Sequence, residues 1–390
     1  MTPEKIIYLD HTATTPVADE VLAAMLPYFQ ENFGNPASIY QLGALAGQAV
    51  NSARDQVASL LNASTEEIFI TSGGTESNNW TIKGIMGSGK RRHVITSAIE
   101  HHSVLNCVHF VGRALGYQPT ILPVNEYGQI EPETLRKAIR DDTALVSIMH
   151  ANNEIGTVEA IRELADIAHE KGALSHTDAV QSVGKIPVDV EELGLDLLSL
   201  SAHKFYGPKG VGALFIRHGV EIQAIHHGGG QEQGLRAGTL NVPGIVGMGA
   251  AAVLAQANLK DQMLRERELL EQLWHGLSTR IENVRRNGHP EQCLPNILSI
   301  SVPGVDGLSI QLGLDLKGIQ VSLSSACATG SQETSHVLKA IGIPAELARG
   351  SIRLSLGREN TGAEIRRVIE VMPKIVGALC QKETGKRPCS

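Results

Sequence analysis

Lys204 and Asp178 are the residues of this chain whose types and spacing point most directly to chemistry. Lys204 closes the run Ser201-Ala202-His203-Lys204 after the apolar stretch Leu195–Leu200, and Asp178 closes an earlier stretch, Ala173–Thr177. An amine at the end of a strand is placed to form an imine with an aldehyde, and a carboxylate at the end of the preceding strand is placed to hold a cationic ring nitrogen. Together they meet the needs of a pyridoxal phosphate site: an anchoring lysine, and an acid that keeps the pyridinium protonated so that the ring serves as an electron sink. A carboxylate that ends an apolar strand is costly without a partner. Either a pyridinium or a nearby Arg or Lys is therefore expected beside Asp178. Gln181, three residues on, is placed to donate to the ring hydroxyl.

Other residues extend this constellation. Gly73-Gly74-Thr75 falls between a strand and a helix, where backbone N–H groups and the helix dipole favour an anion such as a phosphate. The plainer alternative is a tight turn with Thr75 as the helix cap. Ser201 and His203 are donors suited to the same phosphate. His101, after the strand His93–Thr96, could stack on a flat ring and move protons. His101, His102 and His109 have no carboxylate or cysteine at a recognisable ligand spacing, so no metal is expected. Gly84-Ile85-Met86-Gly87-Ser88-Gly89-Lys90 approaches a nucleotide-binding loop, but Arg91 stands where Ser or Thr is needed and the flanking order is helix then strand. A surface turn is expected there. Cys327 lies among small residues, Ser322–Gly330, as an exposed nucleophilic thiol would, whereas Cys107 and Cys293 read as buried apolar residues. Arg353, a charge inside the apolar run Gly350–Ser355, requires a fixed anion, either a substrate carboxylate or a structural acid.

Strands that alternate with helix-period segments must position these groups. Strands are predicted at Glu67–Thr71, His93–Thr96, Ala144–Met149, Ala173–His176, Leu195–Leu200 and Gly212–Ile216, with helices at Thr75–Ile85, from about Ser103, and at Ile161–Glu170. This order predicts an α/β fold: a three-layer, mostly parallel sheet flanked by helices, with its site at the carboxyl ends of the strands. A long helix from about Val246 to Asn283 then leads to a smaller α+β unit. That unit has strands near Ile297–Val302 and Gly350–Ser355 and helices near Leu308–Leu312 and Ala363–Leu379. The polar tail Lys382–Ser390 is expected to fray.

Composition narrows the function. Its 390 residues can bury a large core, and its 40 glycines imply many tight turns. The net charge of −7, the absence of a basic run and 4% aromatics speak against a nucleic-acid surface. No uninterrupted run of about 20 apolar residues marks a membrane span. The N-terminus leads into a strand-like Ile6–Leu9 with no signal or transit pattern, and five irregularly spaced cysteines fit a reducing cytoplasm.

Read as a series, these segments resemble the cysteine desulfurases of the NifS/IscS type, within the class V aminotransferases of fold type I. The resemblance covers nearly the whole chain. It rests on Tyr8–Pro16, Phe33–Ser38, Thr71–Asn79, Glu100–Val104, Met149–Gly156, Asp178–Lys185, Ser201–Gly210, Gly228–Thr239, the loop around Cys327, and Ser351–Arg358. It implies a large cofactor domain over 15–255 and a small domain from 1–14 and 256–390. It further implies that Lys204 anchors pyridoxal phosphate, Asp178 and Gln181 meet the ring, and His101 stacks on it and assists proton transfer. Gly74, Thr75, Ser201 and His203 would bind the phosphate, with Thr239 reaching in from the second subunit of a homodimer. Asn152 would contact the cofactor and, with Arg353, orient L-cysteine. Cys327 would take the sulfur as a persulfide and pass it to an acceptor such as an iron–sulfur scaffold protein. Selenocysteine lyases and class V aminotransferases share Lys204 and Asp178 and are the alternative activities. Ser324, Leu323, Tyr40 and Gln233 depart from the usual pattern, the first two in the cysteine loop.

Overall fold

Alternate residues along the central strands face two separate cores, which makes the large unit three-layered. Ile68, Ile70, Ile95, Val146, Leu198, Leu200, Ala213 and Phe215 belong to one core. Their neighbours Phe69, Val94, Leu145, Leu197, Leu214 and Ile216 belong to the other. The computed structural model describes residues 6–89, 91–323 and 334–384. A sheet buried on both faces needs strands apolar throughout, and Ile68–Thr71, His93–Ser97, Leu197–Ser201 and Gly212–Ile216 are buried along their whole length.

The seven strands lie in the order Ile68–Thr71, Gly212–Ile216, Leu197–Ser201, Leu174–Asp178, Thr143–Ser147, His93–Ser97, Gln118–Leu122. Gly212–Ile216 runs antiparallel to both neighbours; the remaining pairs are parallel. The edge strand Gln118–Leu122 is not legible in the sequence. It is mostly exposed and contains Pro119, which an edge tolerates because no ladder N–H is required there.

Helices Gln41–Leu61 and Ile161–Glu170 cover one face, and Gly74–Ser88 and His102–Leu115 the other. The segment read as a surface turn at Gly84 is instead the last part of helix Gly74–Ser88. A methyl group on Gly84 would sit 2.5 Å from Ile222 Cγ1, so glycine lets the neighbouring chain pack directly on the helix.

The long helix runs Val242–Ser278, with Asn241 as its cap and Pro243 in its first turn. Its apolar first half has the length and mean hydropathy (1.4) of a bilayer-spanning segment. Here Ile245, Met248, Ala251 and Ala252 pack into the first core. Its last turns deliver Leu270, Leu273 and Leu277 to a different core. That core lies against an antiparallel sheet ordered Ser322–Leu323, Ser351–Ser355, Ile297–Ser301, Arg285–Asn287, covered by Gly307–Asp315 and Gly362–Thr384. The C-terminal helix thus continues through Thr384, past the point where fraying is expected. Near the N-terminus, Ile7–Tyr8 pairs in parallel with Ile319–Gln320, so Leu9 belongs to the second core.

Candidate active site

Parallel strands 174–178 and 197–201 end side by side, with Asp178 paired to Ser199, and this register brings the predicted groups together. Gly74, Thr75, His101, Asp178, Gln181, Ser201, His203 and Lys204 all line one cavity of about 270 Å3. Met149, Asn153, Val180, Asn78 and Ser103 complete its wall.

One end of the cavity is built for an anion. Helix Gly74–Ser88 starts there, so its first-turn N–H groups have no partner within the helix. Gly73, not Thr75, is the cap residue, with φ at 144° and ψ at 179°, a conformation open essentially to glycine alone. A methyl group on Gly74 would lie 2.5 Å from Val180 Cγ2, and one on Gly73 3.4 Å from Ser201 Oγ. Gly74 therefore lets the helix start close against Val180, while Gly73 is required by its backbone conformation, its contact with Ser201 being an ordinary one. His203 Nδ1 lies 3.1 Å from Thr14 Oγ1. Burial, reinforced by Lys204 and Lys209, lowers its pKa to about 4, so the ring is a neutral donor or acceptor at neutral pH.

The other end carries Asp178 and His101. Asp178 is buried at 5% exposure. Its Oδ2 accepts from Asn78 Nδ2 at 2.7 Å and its Oδ1 from the Val180 amide at 3.0 Å. No Arg or Lys salt bridge to it occurs among the described residues; neutral donors meet its needs on the protein side and leave the carboxylate available to a cation in the cavity. His101 caps helix His102–Leu115 by accepting from the Ser103 amide. Burial lowers its pKa, Lys204 adds to the effect, and Asp178 opposes it.

Lys204 lies between the two ends, in the 3-10 turn Ala202–Lys204. Its Nζ donates to the carbonyls of Thr12 at 2.5 Å and Ala13 at 2.8 Å. Burial first, then the Arg353 guanidinium, lowers its pKa to about 8 against the pull of Asp10 and Asp178. An amine so placed keeps an unprotonated fraction of roughly a tenth at pH 7, far more than an ordinary lysine, and that fraction can act as nucleophile or base.

Three expected contributors lie elsewhere. Asn152 is absent from the cavity wall and serves the scaffold: its Nδ2 donates to the Ile99 carbonyl, and its Oδ1 accepts from the amides of Glu154 and Ile155. Its neighbour Asn153 faces the cavity instead. Arg353 is held as a structural ion pair, Nη2 to Asp10 Oδ1 at 2.8 Å and Nη1 to the Asn153 carbonyl at 2.8 Å, with its buried Nε unpartnered among the described residues. Thr239 is exposed and lines no part of its own chain's cavity. Cys327, with Ser324, lies outside the described residues. Cys107 and Cys293 are free thiols and buried, and Cys380 is buried as well.

Sequence reasoning missed Asn78, Ser103 and the carbonyls of Thr12 and Ala13. Asn78 was findable, since it lies four residues after Gly74 and so on the same helix face. Thr12 carries no local signal, because 192 residues separate it from Lys204.

The geometry of this cavity agrees with comparisons to known proteins. The family model described as aminotransferase class-V matches residues 7–368. The chain is 51% identical over 381 residues to a protein of Methanosarcina thermophila named cysteine desulfurase IscS, covering 97% of this chain and 94% of that one. A solved structure titled NifS-like protein superposes with a TM-score of 0.90 at 40% identity, covering 96% of this chain and 100% of the other. Another, titled SspA in complex with cysteine, gives a TM-score of 0.80 at 36% identity over 90% of this chain and 98% of that one. With a helix-start anion site, a buried carboxylate and a lysine of lowered pKa in one cavity, and with this similarity along nearly its whole length, the chain belongs to the aminotransferase class-V family.

Proposed function

We propose that this protein is a pyridoxal phosphate-dependent cysteine desulfurase that converts L-cysteine to L-alanine and moves the sulfur to Cys327. The observation that carries the reading is the convergence of Lys204, Asp178 and the Gly74 helix start on one cavity, in a chain half identical to a named cysteine desulfurase. The family uses pyridoxal phosphate, and the residues fit it. The glycine-cradled helix start, Ser201 and His203 suit its phosphate, Asp178 its ring nitrogen, Gln181 its ring oxygen and Lys204 its aldehyde.

When bound, the cofactor supplies an electron sink for bonds broken at the substrate's α- and β-carbons. The chain supplies the rest. Lys204, with its lowered pKa, removes the α-proton and returns a proton to carbon. Asp178 keeps the ring nitrogen protonated, and His101 lies against the same cavity as a proton carrier. Arg353, whose charge reaches Lys204, orients the substrate carboxylate by exchanging its Asp10 partner for it, beside Asn153. The Cys327 thiol attacks the substrate sulfur: the carbon–sulfur bond breaks, a sulfur–sulfur bond forms, and carbon gains the proton. L-cysteine and one thiol thereby give L-alanine and one persulfide, with no outside oxidant.

The reading extends to a homodimer in which Thr239 serves the partner's cofactor. In its favour, Thr239 is exposed, and its neighbour Leu240 lines a cleft of about 540 Å3 with Pro36 and Arg54, beside the exposed Phe33, Ile39 and Tyr40. The long helix reaching into both cores supports the division into a large domain over 15–255 and a small one from 1–14 and 256–390. A cytoplasmic location and a sulfur-acceptor protein, such as an iron–sulfur scaffold, complete the proposal.

Incubating the purified protein with L-cysteine tests the reading. Alanine should appear without any 2-oxo acid, and mass spectrometry should find one added sulfur on Cys327. Cys327→Ser should keep the bound cofactor's colour and lose persulfide formation. Alanine that forms only in the presence of a 2-oxo acid would show an aminotransferase instead.

A further inference from the structure

Four side chains form a continuous hydrogen-bonded line along the cavity wall: Asp178, Asn78, Ser103 and His101. Asn78 is 1% exposed. Its Nδ2 donates both protons, to Asp178 Oδ2 at 2.7 Å and to Ser103 Oγ at 2.8 Å. The opposite amide orientation would set Oδ1 against a carboxylate oxygen, so the direction of donation is dictated by Asp178. Asn78 Oδ1 is left buried with no partner among the described residues, a cost the two donations must outweigh.

The order of protons then propagates. His101 Nδ1 accepts from the Ser103 amide at 3.1 Å and so is an acceptor; the Ser103 hydroxyl, itself accepting from Asn78, therefore turns its own proton to that nitrogen, 2.8 Å away. Two donors on Nδ1 leave no place for a proton there. The positive end of helix His102–Leu115 acts in the same direction by opposing an imidazolium at its cap.

We propose that Asn78 and Ser103 are positioning residues, a bridge from Asp178 to His101 that holds the imidazole neutral with its proton on Nε2. His101 thereby meets the contents of the cavity as a hydrogen-bond donor, and its tautomer is tied to the ionised state of Asp178. The inference deepens the proposed function by assigning a direction to proton transfer at His101, but the tautomer itself rests on protein groups alone. The charged and titratable groups around the ring are Asp178, which favours its protonation, and Lys204 and His102, which oppose it. The His336 ring lies tilted against that of His102, with ring centroids 4.7 Å apart.

The test is nitrogen NMR of the histidine rings in the full-length holoenzyme, with His101 assigned by the signals lost in His101→Gln. The wild type should show Nε2–H and a bare Nδ1 at neutral pH. Ser103→Ala removes one donor to the neutral ring, and the His101 titration should move up by about 0.4 to 1 unit, the equivalent of one hydrogen bond. Asn78→Leu should move it less, because the Ser103 hydroxyl remains but is no longer aimed. Ser103→Thr keeps the hydroxyl and should restore the wild-type titration. A proton on Nδ1 in the wild type, or a Ser103→Ala titration that does not move, overturns the inference even if turnover falls. The predicted tautomer in a protein that makes no alanine from cysteine would sustain the bridge and defeat only the desulfurase reading.

Discussion

The hydroxyls of Thr12 and Ser355 lie 2.9 Å apart although 343 residues separate them in the chain. The Thr12 amide also donates to Ser355 Oγ, at 3.0 Å. Ser355 ends a strand of the small sheet, and Thr12 offers its carbonyl to Lys204 of the large one. Three residues on, the Thr15 amide donates to the His203 carbonyl, and the Tyr206 amide to Thr15 Oγ1. The segment from Thr12 to Thr15 is thus a strap between the two sheets, and it sets where the lysine's amine rests.

Cutting that strap should loosen the lysine. Ser355→Ala leaves the buried Thr12 amide and hydroxyl without their acceptor, at a cost of about 1 to 3 kcal/mol, whereas Thr12→Val should cost less because Ser355 Oγ keeps the amide of residue 12 and the Leu9 carbonyl. Thermal unfolding should report the loss. In the double variant the combined loss should fall short of the sum of the two single losses, as residues in contact require.

Loading of the cofactor-free protein depends on the unprotonated Lys204 amine, whose pKa is about 8. The rate of loading, followed by the cofactor's absorption, should rise with pH and reach half its limit near that value. Arg353→Met removes a cation that pushes the amine's pKa down and leaves Asp10 to push it up. The midpoint should therefore move to higher pH.

Gly74→Ala places a methyl group 2.5 Å from Val180 Cγ2 at the mouth of the anion site. Overpacking of this kind costs about 1 to 3 kcal/mol, and cofactor retention on dialysis should weaken. Val180→Ala in the same chain makes room for the methyl group and should recover much of the retention. A double variant as weak as the single one would mean that the glycine is needed for its backbone and not for its closeness.

Stability should pass through a broad plateau in mildly acid solution. Burial raises the pKa of Glu100, Glu154 and Glu159 to about 8, 7 and 8. The folded state keeps these protons while the unfolded chain releases them above its ordinary value of 4.5, so stability falls as pH rises from there to about 8. Burial lowers His11, His150 and His176 to about 3, 4 and 3. Their contribution is present above 6.5 and is lost as pH falls to about 3. Between 4.5 and 6.5 the two trends oppose each other. Unfolding temperatures should decline on both sides of that window, and Glu100→Gln, which keeps the oxygen that accepts from Ser97 and Met149, should shallow the alkaline decline.

The kind of site and the elements that carry it can be read from the order of residues along the chain. Gly74, Asp178 and Lys204 are legible because parallel strands end on one side of a sheet, so residues at strand ends must meet however far apart they lie in the chain. The same logic places Gln181, Ser201 and His203, each within three residues of one of those ends. Other contributors depend on how distant segments pack. Asn152 and Asn153 are chemically identical neighbours, and only the turn of the backbone sends one amide to Ile99 and the other to the cavity. Arg353 needed an anion, but its being Asp10 depended on the N-terminal segment returning beside the strand Ser351–Ser355. The carbonyls of Thr12 and Ala13 belong to every peptide bond and have no side-chain signature, so their role at Lys204 exists only where the fold brings them within hydrogen-bond reach.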